Sequence, residues 1–423
     1  MTALRKNITS LVTLQGANYL LPLVTIPYLV RVLGPDNYGR IAFAQAFIQY
    51  FVMLTDYGFN LSATRDIARA QGDADTINRI FNAVLAVKFL TALAGFAVMS
   101  AIALAVPSMR GDYALFAVSY LAVAGNLLFP VWLYQGVQRM GYITAFTVSA
   151  RAVMVVAIFA LVHREDQFLL AAGLLAAGMP IGGIVALWNA RRVAHVHFAR
   201  PHWADMKRAV VDGWHVFTAS FGGTLYNSSN TFVLGLVAPL AVVGYFAAAD
   251  KLIKAIQSLV YPISQAAYPH IAVLLKHSRE EAFRFVGRLL GVFVGGTVIV
   301  GIVLASGAAV IAHIAFGPAF ASSAGIIRLL APWPLLIALN VVFGALFIVQ
   351  LNLGRLLSAS ILIPAVLHIA LLYPVARLWG APGVAVLMIL TELFVLLFRL
   401  LGLQRGHRKE LGILWQGLQW KHS

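Results

Sequence analysis

Long apolar runs follow one another from end to end of this 423-residue chain, separated only by short polar connections. A helix that crosses a bilayer needs roughly 20 apolar residues. The runs lie at about 8–31, 38–59, 81–105, 113–135, 145–162, 167–190, 211–236, 242–270, 283–306, 325–349, 356–378 and 383–404. About twelve membrane-spanning helices are therefore expected. The runs are too long and alternate too little for the strands of a membrane barrel. With 61% hydrophobic and 11% charged residues, the chain lies far from a soluble domain, which is about 45–50% apolar and about 25% charged. Disorder and fibrous repeats are excluded on the same grounds. The expected fold class is an all-α polytopic membrane protein.

The first run follows Arg5 and Lys6 like a signal peptide, but it continues past Gln15, Asn18, Pro22 and Pro27 without a small-residue cleavage site. It is read as a retained first span. The absence of cysteine removes disulfides, thiolate metal sites and a cysteine nucleophile from consideration. Net charge is +16, which in a soluble protein would suggest nucleic acid. Here it fits cytoplasmic connections facing anionic lipid, and no nucleic-acid partner is expected. If both termini are cytoplasmic, that side collects twenty of the 31 Lys and Arg residues, most densely in the connection around Arg191, Arg192, Arg200, Lys207 and Arg208. The opposite side receives Arg31, Arg40, Arg110, Arg164 and Arg377. This bias places both termini in the cytoplasm.

A faint internal repeat divides the chain. Pro35 and Gly39 precede Ile41–Gln45 at the start of the second run, as Pro239 and Gly244 precede Phe246–Asp250 at the start of the eighth. Phe129, Gln135 and Arg139 are echoed by Phe343, Gln350 and Arg355. Six spans per half keep the halves in one orientation, so the pattern predicts two six-helix bundles related by an axis along the membrane normal. The expected division is residues 1–209, including the cytoplasmic linker 191–209, then 210–404, then a cytoplasmic tail 405–423. Leu411, Ile413, Leu414, Trp415, Leu418 and Trp420 give that tail the pattern of an amphipathic helix on the inner leaflet.

Ionisable groups inside a span cost on the order of 2.5–3.5 kcal/mol each on insertion scales, so each needs a reason. Arg31, Lys88, Arg151, Lys251, Lys254 and Arg328 are candidates for binding an anionic substrate. Asp56, Asp250 and Glu392 are candidates for carrying a coupling proton or sodium ion. Cations outnumber anions, so a cavity lined this way attracts phosphate or pyrophosphate and repels cationic drugs. Structural readings compete. Lys88 and Arg151 lie close enough to a span end to snorkel to the headgroups. Asp250 and Lys254, spaced i,i+4, can neutralise each other. Arg399 reads as interfacial, and Asp56 and Glu392 can instead make hydrogen-bonded helix contacts.

Uncharged polar groups also fall inside spans: Gln15, Asn18, Gln45, Gln49, Asn126, Asn227–Asn230 and Asn340. Tyr19, Tyr50, Trp132, Tyr134, Tyr226 and Trp333 are able to stack on sugar rings, although packing and belt roles suit most of them. Enzyme signatures are missing: there is no Walker A motif, no G-x-S-x-G and no H-E-x-x-H. Asp73-Ala-Asp75 matches the D-x-D of metal-dependent glycosyltransferases, but a cap for the following helix explains it more simply. His195, His197 and His202 share one loop without partners for a metal site and read as headgroup-facing residues. No cofactor and no resident metal are called for.

The opening segments Gln15-Gly16-Ala17-Asn18-Tyr19-Leu20-Leu21-Pro22-Leu23, Pro27-Tyr28-Leu29-Val30-Arg31 and Leu33-Gly34-Pro35-Asp36-Asn37-Tyr38-Gly39 are distinctive. With Asp56-Tyr57-Gly58-Phe59-Asn60-Leu61, Pro130–Gly136, Pro262–Pro269 and Gly317-Pro318, they closely resemble O-antigen flippases of the Wzx type. Those belong to the polysaccharide transporter branch of the multidrug/oligosaccharidyl-lipid/polysaccharide superfamily. The resemblance spans nearly the whole chain and is most specific in the first sixty residues. It implies two six-helix bundles around a central cavity, moving undecaprenyl-pyrophosphate-linked repeat units from the cytoplasmic to the periplasmic leaflet of the bacterial inner membrane. Carried over by position, Arg31, Lys88, Arg151 and Lys254 match cationic places in the family pattern and Glu392 an acidic one. The implied partners are the lipid-linked glycan, membrane lipids, a proton or sodium ion, and a polysaccharide polymerase and chain-length regulator. The alternatives are a lipid-linked peptidoglycan-precursor flippase and a multidrug or metabolite exporter of the same superfamily. A polymerase, ligase or glycosyltransferase would need a large periplasmic loop or acidic catalytic motif, and neither is present.

Overall fold

The computed structural model describes residues 2–258 and 260–418, with the side chains of 24–218, 226, 228–258 and 260–417. Among these the chain is helical throughout, with short turns and no strand. It divides into two compact units, Met1–Leu236 and Val237–Ser423.

The first unit begins with α1 (Thr2–Asp56), a continuous run that turns at Gly34, whose φ of 72° is left-handed. Glycine takes that conformation without a Cβ clash, and Pro35 restarts the helix with its φ already set. Helices α2 (Phe59–Arg69), α3 (Ala74–Ala105) and α4 (Pro107–Arg110) follow. An interrupted run then comprises α5 (Tyr113–Ser119), α6 (Leu121–Leu128) and α7 (Val131–Gly136), broken at Pro130, before α8 (Met140–Leu161), α9 (Phe168–Val193) and α10 (Trp203–Val237). Phe59, Phe81, Phe129, Trp132, Leu133, Tyr134 and Ala186 form one core of this unit. Along α10, Phe217 stacks on Tyr57 with ring centroids 4.7 Å apart, and Phe232 stacks on Phe47 at 5.2 Å. Between them the hydroxyls of Tyr50 and Ser229 hydrogen-bond at 2.8 Å. The seventh expected span thus packs along the second, inside the first unit.

The second unit contains α11 (Leu240–Gln257), α12 (Val260–His277), α13 (Arg279–Phe316), α14 (Ser323–Leu330) and α15 (Trp333–Val341). A π-helical segment (Val342–Ile348) continues α15, followed by α16 (Gly354–Gly406) and α17 (Arg408–Leu418). Gly380, with φ 57°, breaks α16 two residues before Pro382, as Gly34 breaks α1 before Pro35. The core of this unit gathers Phe283, Val286, Leu290, Phe343, Leu346 and Phe347.

Seven stretches among the described residues are long and apolar enough to cross a membrane: Ala74–Ala105, Tyr113–Gly136, Met140–Leu161, Glu165–Val193, Arg279–Phe316, Ser323–Ile348 and Gly354–Gly406. The chain is thus a multi-pass membrane protein. Expected spans 1 and 7 fall partly outside the described side chains, and spans 2 and 8 are not among the seven. Polar residues lower the hydropathy of spans 2 and 8: Gln45 and Gln49 in α1, and Asp250, Lys251 and Lys254 in α11.

Two surface segments are held by protein contacts. His197 is exposed but anchored to α3. Its backbone amide donates to Asn78 Oδ1 at 2.8 Å, its carbonyl accepts from Asn82 Nδ2 at 2.9 Å, and its ring Nε2 lies 3.1 Å from Asn78 Nδ2. The Ala199 amide donates to Asn82 Oδ1 at 2.9 Å. A side-chain amide carries the same donor and acceptor as a peptide unit, so the two asparagines pair with the loop much as a neighbouring strand would. The apolar face of α17 is likewise turned to protein: Leu411 and Leu414 are buried in the core of the second unit, while Trp415 stays about half exposed. Trp420 and the Leu418 side chain lie outside the described residues.

Candidate functional site

In the first unit the buried charge is Lys88, on α3, 1% exposed and too deep to snorkel. Its Nζ donates to the Asn126 carbonyl of α6 at 2.7 Å and lies 3.9 Å from Asp56 Oδ1, at the end of α1. Asn60 Nδ2 donates to the same Asp56 oxygen at 2.6 Å. An ammonium has three protons to place, and only one makes a hydrogen bond to a described residue. Asn126 Oδ1 and Thr55 Oγ1 are buried without partners among the described residues. Buried polar groups are seldom left unsatisfied, so this cluster has spare capacity for an oxygen-rich visitor. Arg151, on α8, is half-buried, and Arg31, on α1, is exposed.

In the second unit Asp250 and Lys254 form the i,i+4 pair that their spacing allows, at 2.8 Å, with Asp250 buried. Lys251 is half-buried on the same helix, and Arg328 is exposed on α14. The deepest polar network lies elsewhere, at α15 and α16. Asn340 Nδ2 donates to Glu392 Oε2 at 2.8 Å and to the Glu392 carbonyl at 3.0 Å. Arg399 Nη1 donates to the Asn340 carbonyl at 2.6 Å, and its Nε donates to Ser360 Oγ at 3.0 Å. Glu392 and Arg399 are 7% and 6% exposed, so the interfacial reading of Arg399 is overturned. Its guanidinium occupies space left by Gly344: a Cβ there would stand 2.7 Å from Nη1. Gly344 belongs to the π-helical segment, and such widened turns recur at functional positions.

Sequence reasoning placed Asn340, Glu392 and Arg399 inside spans one at a time but did not join them, and it missed Ser360, His368 and Thr391. His368 is 1% exposed, and its Nδ1 lies 2.8 Å from Thr391 Oγ1. The Thr391 hydroxyl proton goes to the Leu387 carbonyl at 2.7 Å, so Nδ1 carries the hydrogen and donates to Thr391. A histidine in an apolar span is the one signal that pointed here. The aromatics considered for sugar stacking are mostly structural. Trp132 and Tyr134 are core residues, Trp333 is buried with Nε1 donating to Gln257 Oε1 at 2.7 Å, and Tyr50 bonds Ser229. Gln15, Asn18, Tyr19 and Asn227 lie outside the described side chains. Asp73 caps α3, accepting from the Thr76 amide at 2.9 Å and the Thr76 hydroxyl at 2.5 Å. Among the described residues no group of three or more His, Cys, Asp or Glu side chains is placed to hold a metal ion.

The family model described as "Polysaccharide biosynthesis protein" matches residues 4–275. A protein of Escherichia coli (strain K12), named a candidate O-antigen transporter, is 31% identical over 403 residues, 93% of this chain and 95% of its own length. A Shigella dysenteriae protein of the same name is 27% identical over 397 residues, 94% of this chain and 99% of its own. Among solved structures, the lipid II flippase MurJ in an inward closed conformation superposes with a TM-score of 0.75 at 11% identity, covering 97% of this chain and 91% of that one. An inward-facing multidrug-resistance MATE family transporter of the MOP superfamily gives 0.65 at 13% identity, covering 93% and 95%. The fold is therefore shared with membrane flippases and transporters. By sequence, the chain belongs to the polysaccharide biosynthesis protein family of membrane transporters, in keeping with the Wzx-like motifs of its first sixty residues.

Proposed function

We propose that this protein is a flippase that translocates undecaprenyl-pyrophosphate-linked oligosaccharide repeat units of O-antigen or exopolysaccharide type across the bacterial inner membrane. Two six-helix bundles, residues 1–209 and 210–404 with both termini cytoplasmic, rock to expose a cationic cavity to each leaflet in turn, and an ion gradient supplies the energy. A glycan crossing about 30 Å of hydrocarbon would lose its hydration, at about 2–7 kcal/mol for each hydroxyl left unpaired. A wet polar cavity restores those hydrogen bonds while the lipid tail stays in the bilayer.

The observation that carries this reading is the excess of cations in the spans. Of the intramembrane charges, Lys88 is fully buried and makes one hydrogen bond to a described residue, Arg151 and Lys251 are half-buried, and Arg328 is exposed. Arg31, Lys254 and Lys88 complete the set proposed to meet pyrophosphate and glycan. Asp56, Asp250 and Glu392 are proposed to carry the coupling proton or sodium ion. The weakly apolar spans 2 and 8 correspond between the two halves. Interrupted or weak spans in matching positions are the sequence mark of a transporter's binding site. An exporter of cationic drugs needs the opposite charge balance.

Deleting the gene in its own host tests the proposal. Intact repeat units trapped on the cytoplasmic leaflet, with surface polysaccharide lost, are expected. Accumulated peptidoglycan precursor would select the second reading, which the fold shared with the lipid II flippase favours. Normal polysaccharide with altered drug tolerance would contradict both.

A further inference from the structure

A cavity of about 550 Å³ opens in the first unit between α2, the start of α3 and the start of α10. That volume is within the range of small-molecule sites, about 300–1,000 Å³. Arg69, Arg79 and Arg208 line it together with Asp66, Asp205 and Asp212. Among the described residues no ion pair joins any two of these six. Asp66 pairs with Arg65 outside the cavity at 2.9 Å, and Arg79 donates to Thr76 Oγ1 at 2.8 Å. Three separate helices hold opposite charges around one space without letting them close on each other.

The balance selects the chemistry of an occupant. A bare pyrophosphate would meet three carboxylates, and a cationic drug would meet three guanidinium groups. A sugar satisfies both kinds of group, because each hydroxyl accepts from a guanidinium and donates to a carboxylate. Phe59, which lines the same cavity, adds an apolar surface suited to the C–H face of a pyranose. Asp73 also lines it, but its carboxylate is committed to the α3 cap, so no catalytic use of the D-x-D sequence is implied. The cavity residues come from the connections whose Lys and Arg content places them on the cytoplasmic side, where a glycan would enter.

We propose that this cavity is a docking site for the oligosaccharide head group, distinct from the intramembrane cations assigned to the pyrophosphate. The proposal rests on the flippase reading. The test uses the full-length protein in nanodiscs and, as probe, the repeat-unit oligosaccharide released by mild acid from the host's lipid-linked pool. Binding is read by calorimetry, with inorganic pyrophosphate as competitor. Saturable binding is expected that pyrophosphate does not displace. Arg208→Ala and Asp212→Asn should each weaken it at least tenfold without lowering membrane abundance or melting temperature, while Arg192→Ala on the same face leaves it intact. Equal binding in the cavity variants, displacement by pyrophosphate, or no oligosaccharide binding by the wild type would overturn the site. If deletion of the gene traps repeat units and both cavity variants restore full surface polysaccharide, the docking site falls and the flippase reading stands. If deletion traps none, the flippase reading itself falls.

Discussion

Asn340 holds Arg399 and Glu392 at once. Its carbonyl accepts from Arg399 Nη1 at 2.6 Å while its side-chain amide donates to Glu392 Oε2 at 2.8 Å. One residue thus bridges a buried cation and a buried anion at the turn where α15 gives way to the π-helical segment. Breaking one member of such a network leaves the other charge uncompensated. The network also depends on the missing side chain of Gly344, which makes room for the guanidinium. Gly344→Ala should therefore destabilise the protein by about 1–3 kcal/mol, the usual cost of overpacking, seen as a lower melting temperature in detergent. An unchanged melting temperature would show that Arg399 has room to spare.

Lys88 and Asp56 make the sharpest distinction between support and transport. Asp56→Asn strands the Lys88 ammonium in the interior and should cost about 3–5 kcal/mol, as removing one partner of a buried pair does. Membrane abundance should fall with it. The double variant Asp56→Asn, Lys88→Met removes both charges and should recover most of the stability. If Lys88 meets the substrate, the recovered protein stays inactive in a host complementation assay. Restored surface polysaccharide would make the pair purely structural.

The two-asparagine clasp predicts where the loop after α9 becomes vulnerable. Each hydrogen bond of this kind contributes about 1 kcal/mol, and Asn78 and Asn82 together hold His197 and Ala199. Replacing both by alanine should release the loop, and chymotrypsin should then cut after the exposed Phe198 more than tenfold faster while the helices stay protected. Cleavage at the wild-type rate would mean that other contacts fix the loop.

Asp73 gives a pH signature outside the membrane. Its hydrogen bonds from the Thr76 hydroxyl and amide hold its carboxyl below the ordinary value of 3.8. A carboxylate with a depressed folded-state pKa stabilises the fold above its unfolded value, and that contribution is lost as pH falls through the folded value. Amide exchange at Thr76, read by hydrogen–deuterium exchange, should accelerate in Asp73→Ala at neutral pH. Asp73→Asn keeps an acceptor and should lose the pH dependence in the acid range. Equal protection in Asp73→Ala would remove the cap from the account.

Much of the fold was legible because membrane solvation leaves a blunt mark. Apolar runs give the helices, and the Gly34-Pro35 and Gly380-Ala381-Pro382 steps give breaks that local stereochemistry dictates. The Asp250–Lys254 pair was legible for the same local reason, since i,i+4 neighbours meet on any helix. The other partners were hidden by sequence distance. Asn340 stands 52 residues from Glu392 and 59 from Arg399, and no periodicity reports which helices pack together. Depth misled as well: Arg399 near a span end reads as interfacial until packing shows Ser360 and Asn340 waiting for it. The amphipathic α17 posed the same ambiguity, because an apolar face is the same whether lipid or α13 covers it.

The central claim is translocation by this chain, and reconstitution tests it most directly. Purified protein is placed in liposomes with radiolabelled undecaprenyl-pyrophosphate-linked repeat units, and a membrane-impermeant glycosidase is added outside. The account predicts that units in the inner leaflet become fully cleavable within the assay, whereas protein-free liposomes and the Asp56→Asn, Lys88→Met variant protect about half. Protection of that half in liposomes containing the folded wild-type protein, with an ion gradient of either sign imposed, would contradict it.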